Sequence, residues 1–330
     1  MRQAGDRVLA RLRRVLSSRW FKLASSAVLL AVLLRETDLQ ALRSALGRAQ
    51  LTWVAAALAG YLLSQVISAY RWSLLARPLG FGESFRRFLV YYFSGMYLNL
   101  FAPSTVAGDV GRALFLASGR RKRALAMTTV IADRGTGFVA LVLVGAAAIL
   151  LLPQYPLPHA IRVAAWLAPP LVVLGWLWGP RFAVRLLAPE NRWRRFVERD
   201  LAPYWHDLRL LGVTLVVATL FHLLQIATQL VLAWALHLDA PGPFFLVFVP
   251  IVNMLGMLPI SFSGIGIREA GYLYFLSQVG IDREAAVALG LLASAVVLAS
   301  GLAGAPGFVL ASQRQAALPK KRERAPRVSD

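Results

Sequence analysis

The chain has 330 residues, 58% of them hydrophobic and 16% charged, with a formal net charge of +20 and no cysteine. Soluble domains sit nearer about 45–50% apolar, so the excess excludes an ordinary globular protein, and the lack of cysteine excludes disulfides, thiolate catalysis and cysteine-ligated metal sites. The positive charge lies in short segments between apolar blocks, with no aromatic-basic groove beside it; this is the distribution of the positive-inside rule, and nucleic acid is not an expected partner.

In chain order, residues 1–18 form a basic cytoplasmic segment. The apolar run from Leu23 to Leu34 follows a long Arg-rich region and is succeeded directly by Arg35 and Glu36, with no small-residue cleavage site. It therefore predicts an uncleaved first helix over about Arg19–Leu34, not a signal peptide. The blocks Leu51–Tyr70, Ala124–Leu152, Val163–Gly179 and Leu210–Leu236 are long enough to cross ~30 Å of hydrocarbon as helices, and Val287–Ala311 supplies a last crossing. Two further apolar stretches are broken. Phe88–Ala107 carries Asn99, Pro103, Ser104 and Thr105 and is followed by Gly108; Phe244–Gly266 carries Pro250, Asn253, Pro259, Ser261, Ser263 and Gly264. Such material is poor for an uninterrupted spanning helix. Residues 181–209, rich in arginine and aromatics and interrupted at Pro189-Glu190-Asn191, predict two helices lying on the cytoplasmic interface, held by anionic lipid. Residues 312–330 read as a disordered basic cytoplasmic tail.

The charges set the topology. Residues 1–22 hold seven Lys/Arg, 71–87 four, 119–123 four, 180–209 seven and 312–330 six; residues 35–50, 153–162, 237–243 and 269–284 hold three, one, none and one. Both termini are thereby expected in the cytoplasm. The count closes only if each broken stretch enters and leaves on one side, because its flanks share a charge character. The expected architecture is an all-α polytopic membrane protein with six crossings and two re-entrant broken-helix hairpins. Irregular backbone at membrane depth persists only where protein buries it or water reaches it.

The two broken stretches align. Pro103-x4-Gly108-x3-Arg112 and Pro259-x4-Gly264-x3-Arg268 share an offset of 156 residues, and the flanking apolar blocks keep a similar spacing. Segments of about 51–152 and 210–311 thus form a predicted repeat, and their opposite directions through the membrane make it inverted, a plan that builds one midplane site able to open to either side. Single cysteines at positions 104 and 261 are expected to label from opposite faces.

Candidate chemistry gathers near the breaks. Arg112 and Arg268 end the two broken segments; they read as paired anchors for an anionic headgroup, or as helix-end anchors snorkelling to the interface. Asp109 lies one helical turn before Arg112 and could pair with it. Glu269, adjacent to Arg268, is expected to pair elsewhere or to titrate. If its helix begins near Ala124, Asp133 sits ~14 Å into the bilayer; at that depth the neighbouring Asp133 and Arg134 cost at least ~2.5–3.5 kcal/mol each unless paired or wetted. They are read as a structural ion pair or as part of a translocation path. Asn99 and Asn253 read as caps or headgroup contacts. No cofactor is expected, and His206, His222 and His237 lack metal-ligand spacing.

The run Asn99 to Ser104 continuing through Gly108-Asp109-Val110-Gly111-Arg112, the Asp133-Arg134 pair, and Leu258-Pro259 through Gly264-Ile265-Gly266-Ile267-Arg268-Glu269 resemble the lysylphosphatidylglycerol synthase transmembrane, flippase-like family over roughly residues 20–311. The resemblance implies a bacterial or archaeal inner-membrane protein, related to the module that moves aminoacylated phospholipid between leaflets, in which the matching Asp, Arg and Glu positions serve translocation. Only a short tail follows residue 311, so a stand-alone module without the aminoacyl-transferase domain, unable to make lysyl-lipid, is expected. The expected function is translocation of a polar or anionic lipid headgroup, with membrane phospholipids as partners and no enzymatic activity. With no nucleotide-binding loop, a gradient or mass action would drive it. The alternatives are a scaffold or accessory subunit working with pathway enzymes in the membrane, and a polytopic lipid-linked transferase using Glu36 and Asp38.

Overall fold

A computed structural model describes residues 19–101, 106–117, 120–188, 190–258 and 264–317, and among them every regular element is helical. Five helical stretches are long and apolar enough to cross a membrane: Leu51–Leu79, Lys122–Leu151, His159–Leu186, Leu208–Ala235 and Arg283–Gln315. The all-α polytopic membrane architecture expected from the composition is the one observed. Pro103, Ser104, Thr105, Pro259, Ser261 and Ser263, the terminal segment 1–18 and the tail beyond residue 317 lie outside the described residues.

The chain opens with α1 (Arg19–Arg35) and the short α2 (Leu39–Gly47), whose N-terminus is capped by Asp38: its Oδ1 accepts from Gln40 N at 2.8 Å and Ala41 N at 3.2 Å. Next come α3 (Leu51–Ala76), α4 (Phe85–Phe101), α5 (Val106–Leu116) and α6 (Arg120–Leu151), then α7 (His159–Leu186) at the periphery. Short turns α8 (Arg192–Arg195) and α9 (Ala202–His206) lead into α10 (Leu208–Ala235), α11 (Gly242–Gly256), α12 (Ile267–Ser277), α13 (Arg283–Leu302) and α14 (Ala305–Ala317).

Helices α3 to α6 and α10 to α13 touch one another in matching pairs. The two long helices α3 and α10 pack along each other, α4 meets α5 as α11 meets α12, and α5 meets α6 as α12 meets α13. Crosswise, α6 contacts α10 and α11, while α13 contacts α3 and α4. Two apolar clusters result. One centres on Phe244, Phe245, Phe248, Tyr272 and Phe275 of the second half; the other, smaller, centres on Trp72 and Phe88 of the first.

Several details correct the sequence expectations. Arg71, counted there among cytoplasmic loop charges, lies on α3, which continues to Ala76, and is 4% exposed. Residues 181–186 do not start a separate interfacial helix; they are the last turns of α7, which runs through Pro169, Pro170 and Pro180. Tyr204 on α9 ties this connecting segment to the end of α3 by donating to Leu75 O at 2.6 Å, and its burial pushes the hydroxyl pKa up. The last apolar stretch is two helices, not one, with a turn at Ala303-Gly304. A Cβ on Gly304 would lie 2.1 Å from the carbonyl oxygen of Phe93, so glycine there lets α14 lie directly on the backbone of α4.

Candidate functional site: an arginine-lined cavity between the two hairpins

The first hairpin is closed by backbone contact. A Cβ on Gly108 would stand 2.2 Å from the carbonyl oxygen of Gly95, so α4 and α5 approach to a distance only glycine permits. Across the break, Asn99 Oδ1 accepts from Gly108 N at 2.7 Å, a cap for the start of α5. The second hairpin uses different means. Gly264 and Gly266 both have positive φ, +82° and +87°, and Glu269 Oε2 reaches back to accept from Gly266 N at 2.6 Å, capping α12.

These devices place one run of ion pairs inside the protein. Asp133, 2% exposed, receives Arg71 Nε on Oδ1 and an Arg112 terminal nitrogen on Oδ2, each at 2.8 Å. Arg112, 4% exposed, also pairs with Asp109 at 3.0 Å, and Asp109 in turn holds Arg134 at 2.9 Å. The result is a chain of alternating sign, Arg71–Asp133–Arg112–Asp109–Arg134, running from buried to half-exposed. Aromatic faces pack on it: Trp72 and Tyr92 lie 4.9 and 5.1 Å from the Arg112 guanidinium. Desolvating Arg71, Asp133 and Arg112 is tolerated because each of these charges has an opposite neighbour. Asp133 and Arg134, adjacent in sequence, are not partners of each other; their side chains leave the helix in different directions and serve different links. Arg112 does not snorkel, as its charge is spent inside the protein.

The opposite wall is arranged otherwise. Glu269 is fully buried, with Ser294 Oγ donating to Oε1 at 2.5 Å and Gly266 N to Oε2. Arg268 donates to the same Ser294 hydroxyl at 3.1 Å, and among the described residues it has no ion-pair partner. Ser294 thus sits between the two charges.

Both walls face one cavity of about 390 Å³, within the ~300–1,000 Å³ range of small-molecule sites. Asp109, Arg112, Asp133, Arg134 and Arg268 line it, together with Asn99, Gly108, Asn253 and Gly264; Glu269 does not line it but shares Ser294 with Arg268, and Pro103 and Pro259 are outside the described residues. Four lining arginines (71, 112, 134 and 268) against two aspartates (109 and 133) leave a formal charge of +2. Phe138, Met257, Leu258 and Leu298 line the cavity and are also among the exposed large apolar side chains, so part of the rim is apolar and open to the protein surface.

Sequence reasoning missed Arg71 and the polar seam between α3 and α10. Gln65 and Gln225 both donate to Ser64 at 3.2 Å, and Tyr92 donates to Ser68 at 2.9 Å. The signal was available: four polar or charged residues at 64, 65, 68 and 71 share one face of an otherwise apolar helix. Among the described residues no group of three His, Cys, Asp or Glu side chains could hold a metal ion.

The family described as lysylphosphatidylglycerol synthase TM region matches residues 19–304, which includes both hairpins and the cavity. No curated protein gives a significant match. By that match over most of its length, the chain belongs to the lysylphosphatidylglycerol synthase TM region family and is a multi-pass membrane protein of lipid metabolism or transport.

Proposed function

We propose that the chain moves a phospholipid with an anionic headgroup between the leaflets of the cytoplasmic membrane, with both termini in the cytoplasm. The observation that carries this is the cavity between the hairpins, whose wall holds an excess of +2 and an arginine, Arg268, that among the described residues has no carboxylate bound to it. A phosphate diester supplies the missing anion, and the guanidinium fork suits it. The apolar rim at Phe138, Met257, Leu258 and Leu298 would let acyl chains remain in lipid while the headgroup enters.

An inverted repeat with re-entrant hairpins is part of the proposal. The reciprocal packing of α3–α6 and α10–α13 supports the repeat. So do the hairpin limbs: α4 and α5 have 17 and 11 residues, α11 and α12 15 and 11, or roughly 25, 17, 22 and 17 Å at 1.5 Å per residue. The limbs α5 and α12 are well short of the ~30 Å needed to cross. With no native cysteine, Ser84→Cys is expected to label from the cytoplasm and Ser277→Cys from outside; labelling of both from one face would remove this topology.

The transport reading is tested in proteoliposomes with fluorescent phosphatidylglycerol, following the fraction that dithionite can reach. Wild-type protein is expected to move label across the bilayer, and Arg268→Gln to slow it by at least about tenfold through loss of a charged hydrogen bond. Equal rates would overturn Arg268 as the anchor, and no movement in either would sink translocation. The transferase alternative gains no support from its two acids: Asp38 caps α2, and Glu36 pairs with Arg283 at 3.0 Å.

A further inference from the structure

The second hairpin carries a built-in competitor for any anion that binds Arg268. Glu269 caps α12 by accepting from Gly266 N, so the fold itself fixes a fully buried carboxylate one residue away from that arginine. A carboxylate in direct contact would neutralise Arg268, as Asp109 and Asp133 neutralise Arg112 at 3.0 and 2.8 Å. Arg268 and Glu269 nevertheless make no ion pair. Between them stands Ser294 of α13, 7% exposed, with Glu269 Oε1 at 2.5 Å and Arg268 Nη1 at 3.1 Å from its Oγ.

The direction of each bond follows from the groups. A guanidinium only donates, so the serine oxygen accepts from Arg268, and its single proton goes to Glu269. With Gly266 N on Oε2, each oxygen of the carboxylate then has a donor of its own. The reach is set one turn earlier on α13, at Gly290. A Cβ there would stand 2.9 Å from the Cα of Glu269, so glycine brings α13 close enough to α12 for a side chain as short as serine to meet both charged groups. Arg268 lines the cavity, whereas Ser294 and Glu269 do not, so Ser294 acts on a ligand only through Arg268.

We propose that Ser294 is a positioning residue whose hydroxyl holds Glu269 off Arg268 and thereby keeps the guanidinium available to a phosphate ester in the cavity. The proposal rests on the reading of Arg268 as the anchor for an anionic headgroup. It explains how that anchor coexists with a buried carboxylate next to it in the chain. The first hairpin is the internal contrast: no hydroxyl stands between Arg112 and its two aspartates, and both ion pairs close.

The test measures binding of fluorescent phosphatidylglycerol to the full chain in detergent. Ser294→Ala removes the spacer and frees Glu269 to turn to Arg268; binding is expected to weaken by about tenfold, the scale of one charged hydrogen bond. Ser294→Cys, which keeps the side-chain size but only a weak hydrogen-bonding group, is expected to behave alike and stands in if the alanine variant does not fold. Ser294→Thr retains the hydroxyl and is expected to bind as wild type does. The deciding variant is Ser294→Ala combined with Glu269→Gln: with the competing carboxylate gone, binding is expected to return to near the wild-type affinity, although two hydrogen-bonding groups have been altered. Wild-type binding by Ser294→Ala and Ser294→Cys overturns the positioning role, and so does a double variant no stronger than Ser294→Ala, the result of a serine that merely props two helices together. Arg268→Gln keeps the two failures apart. If it binds phosphatidylglycerol as wild type does, the anchor itself falls; if it binds weakly while the serine variants do not, the anchor stands and the role of Ser294 falls. Displacement of phosphatidylglycerol by glycerol 1-phosphate at comparable concentration would name a soluble phosphate ester as the ligand of the positioned arginine and overturn the lipid assignment.

Discussion

The two hairpins put an arginine at the same place by different local chemistry. In the first, glycine works by absence of volume: Gly95 and Gly108 let two helices touch backbone to backbone, and a side chain, Asn99, caps the break. In the second, glycine works by conformation, with Gly264 and Gly266 at positive φ, and Glu269 caps from within its own helix. The arginines then meet opposite fates. Arg112 is held between two aspartates, whereas Arg268, among the described residues, is tied to a hydroxyl and to no carboxylate. The environments differ as well: α11 is buried along Phe244–Val252 apart from Leu246, while α4 buries only Phe88, Ser94 and Gly95. A repeated sequence motif therefore does not carry a repeated role. One wall of the cavity is electrically closed, whereas on the other, among the described residues, Arg268 has no carboxylate partner.

The sharpest way to break this contrast is at Asp133. Asp133→Asn leaves Arg71 and Arg112 facing a neutral group in a desolvated interior, and the expected loss is about 3–5 kcal/mol, read as a large fall in the thermal midpoint of detergent-solubilised protein. A stability close to wild type would mean that the chain of ion pairs is hydrated and carries little.

The glycines come next. Gly108→Ala forces the two limbs apart and is expected to cost about 1–3 kcal/mol, and Gly108→Asn is expected to be worse. Gly264→Ala is expected to cost about 1–2 kcal/mol through strained backbone, and Gly264→Asn to recover part of it, because asparagine tolerates the left-handed region. Matching responses to asparagine at both positions would erase the distinction between the hairpins.

At Glu269, Gln keeps one acceptor oxygen but loses the cap or the serine bond, a change of about 1 kcal/mol in the same measurement. The smallest stability effect is expected for Arg268→Gln, below about 1 kcal/mol because no ion pair is broken, even though its effect on transport is among the largest. A destabilisation comparable to that of Asp133→Asn would show that Arg268 is a structural cation and not an anchor awaiting ligand.

Hydropathy and charge by themselves determined that the chain is an all-α polytopic membrane protein, and the proline, glycine and asparagine positions marked where two apolar stretches break. Those properties are local: a run of apolar side chains must leave water, and backbone that cannot stay helical must be satisfied nearby. The Asp109–Arg112 pair was legible for the same reason, being one helical turn apart. Pairing across helices was not. Arg71 looks like the first charge of a cytoplasmic loop until the packing of α3 against α6 brings Asp133, 62 residues away, within 2.8 Å of it. The neighbours Asp133 and Arg134 look like a pair until helix geometry sends them to different partners. Which charges are neutralised and which arginine stays available both depend on groups from several helices meeting at one cavity. Only the tertiary structure decides that, because the free energy of a buried charge is set by what surrounds it in space and not by its neighbours in sequence.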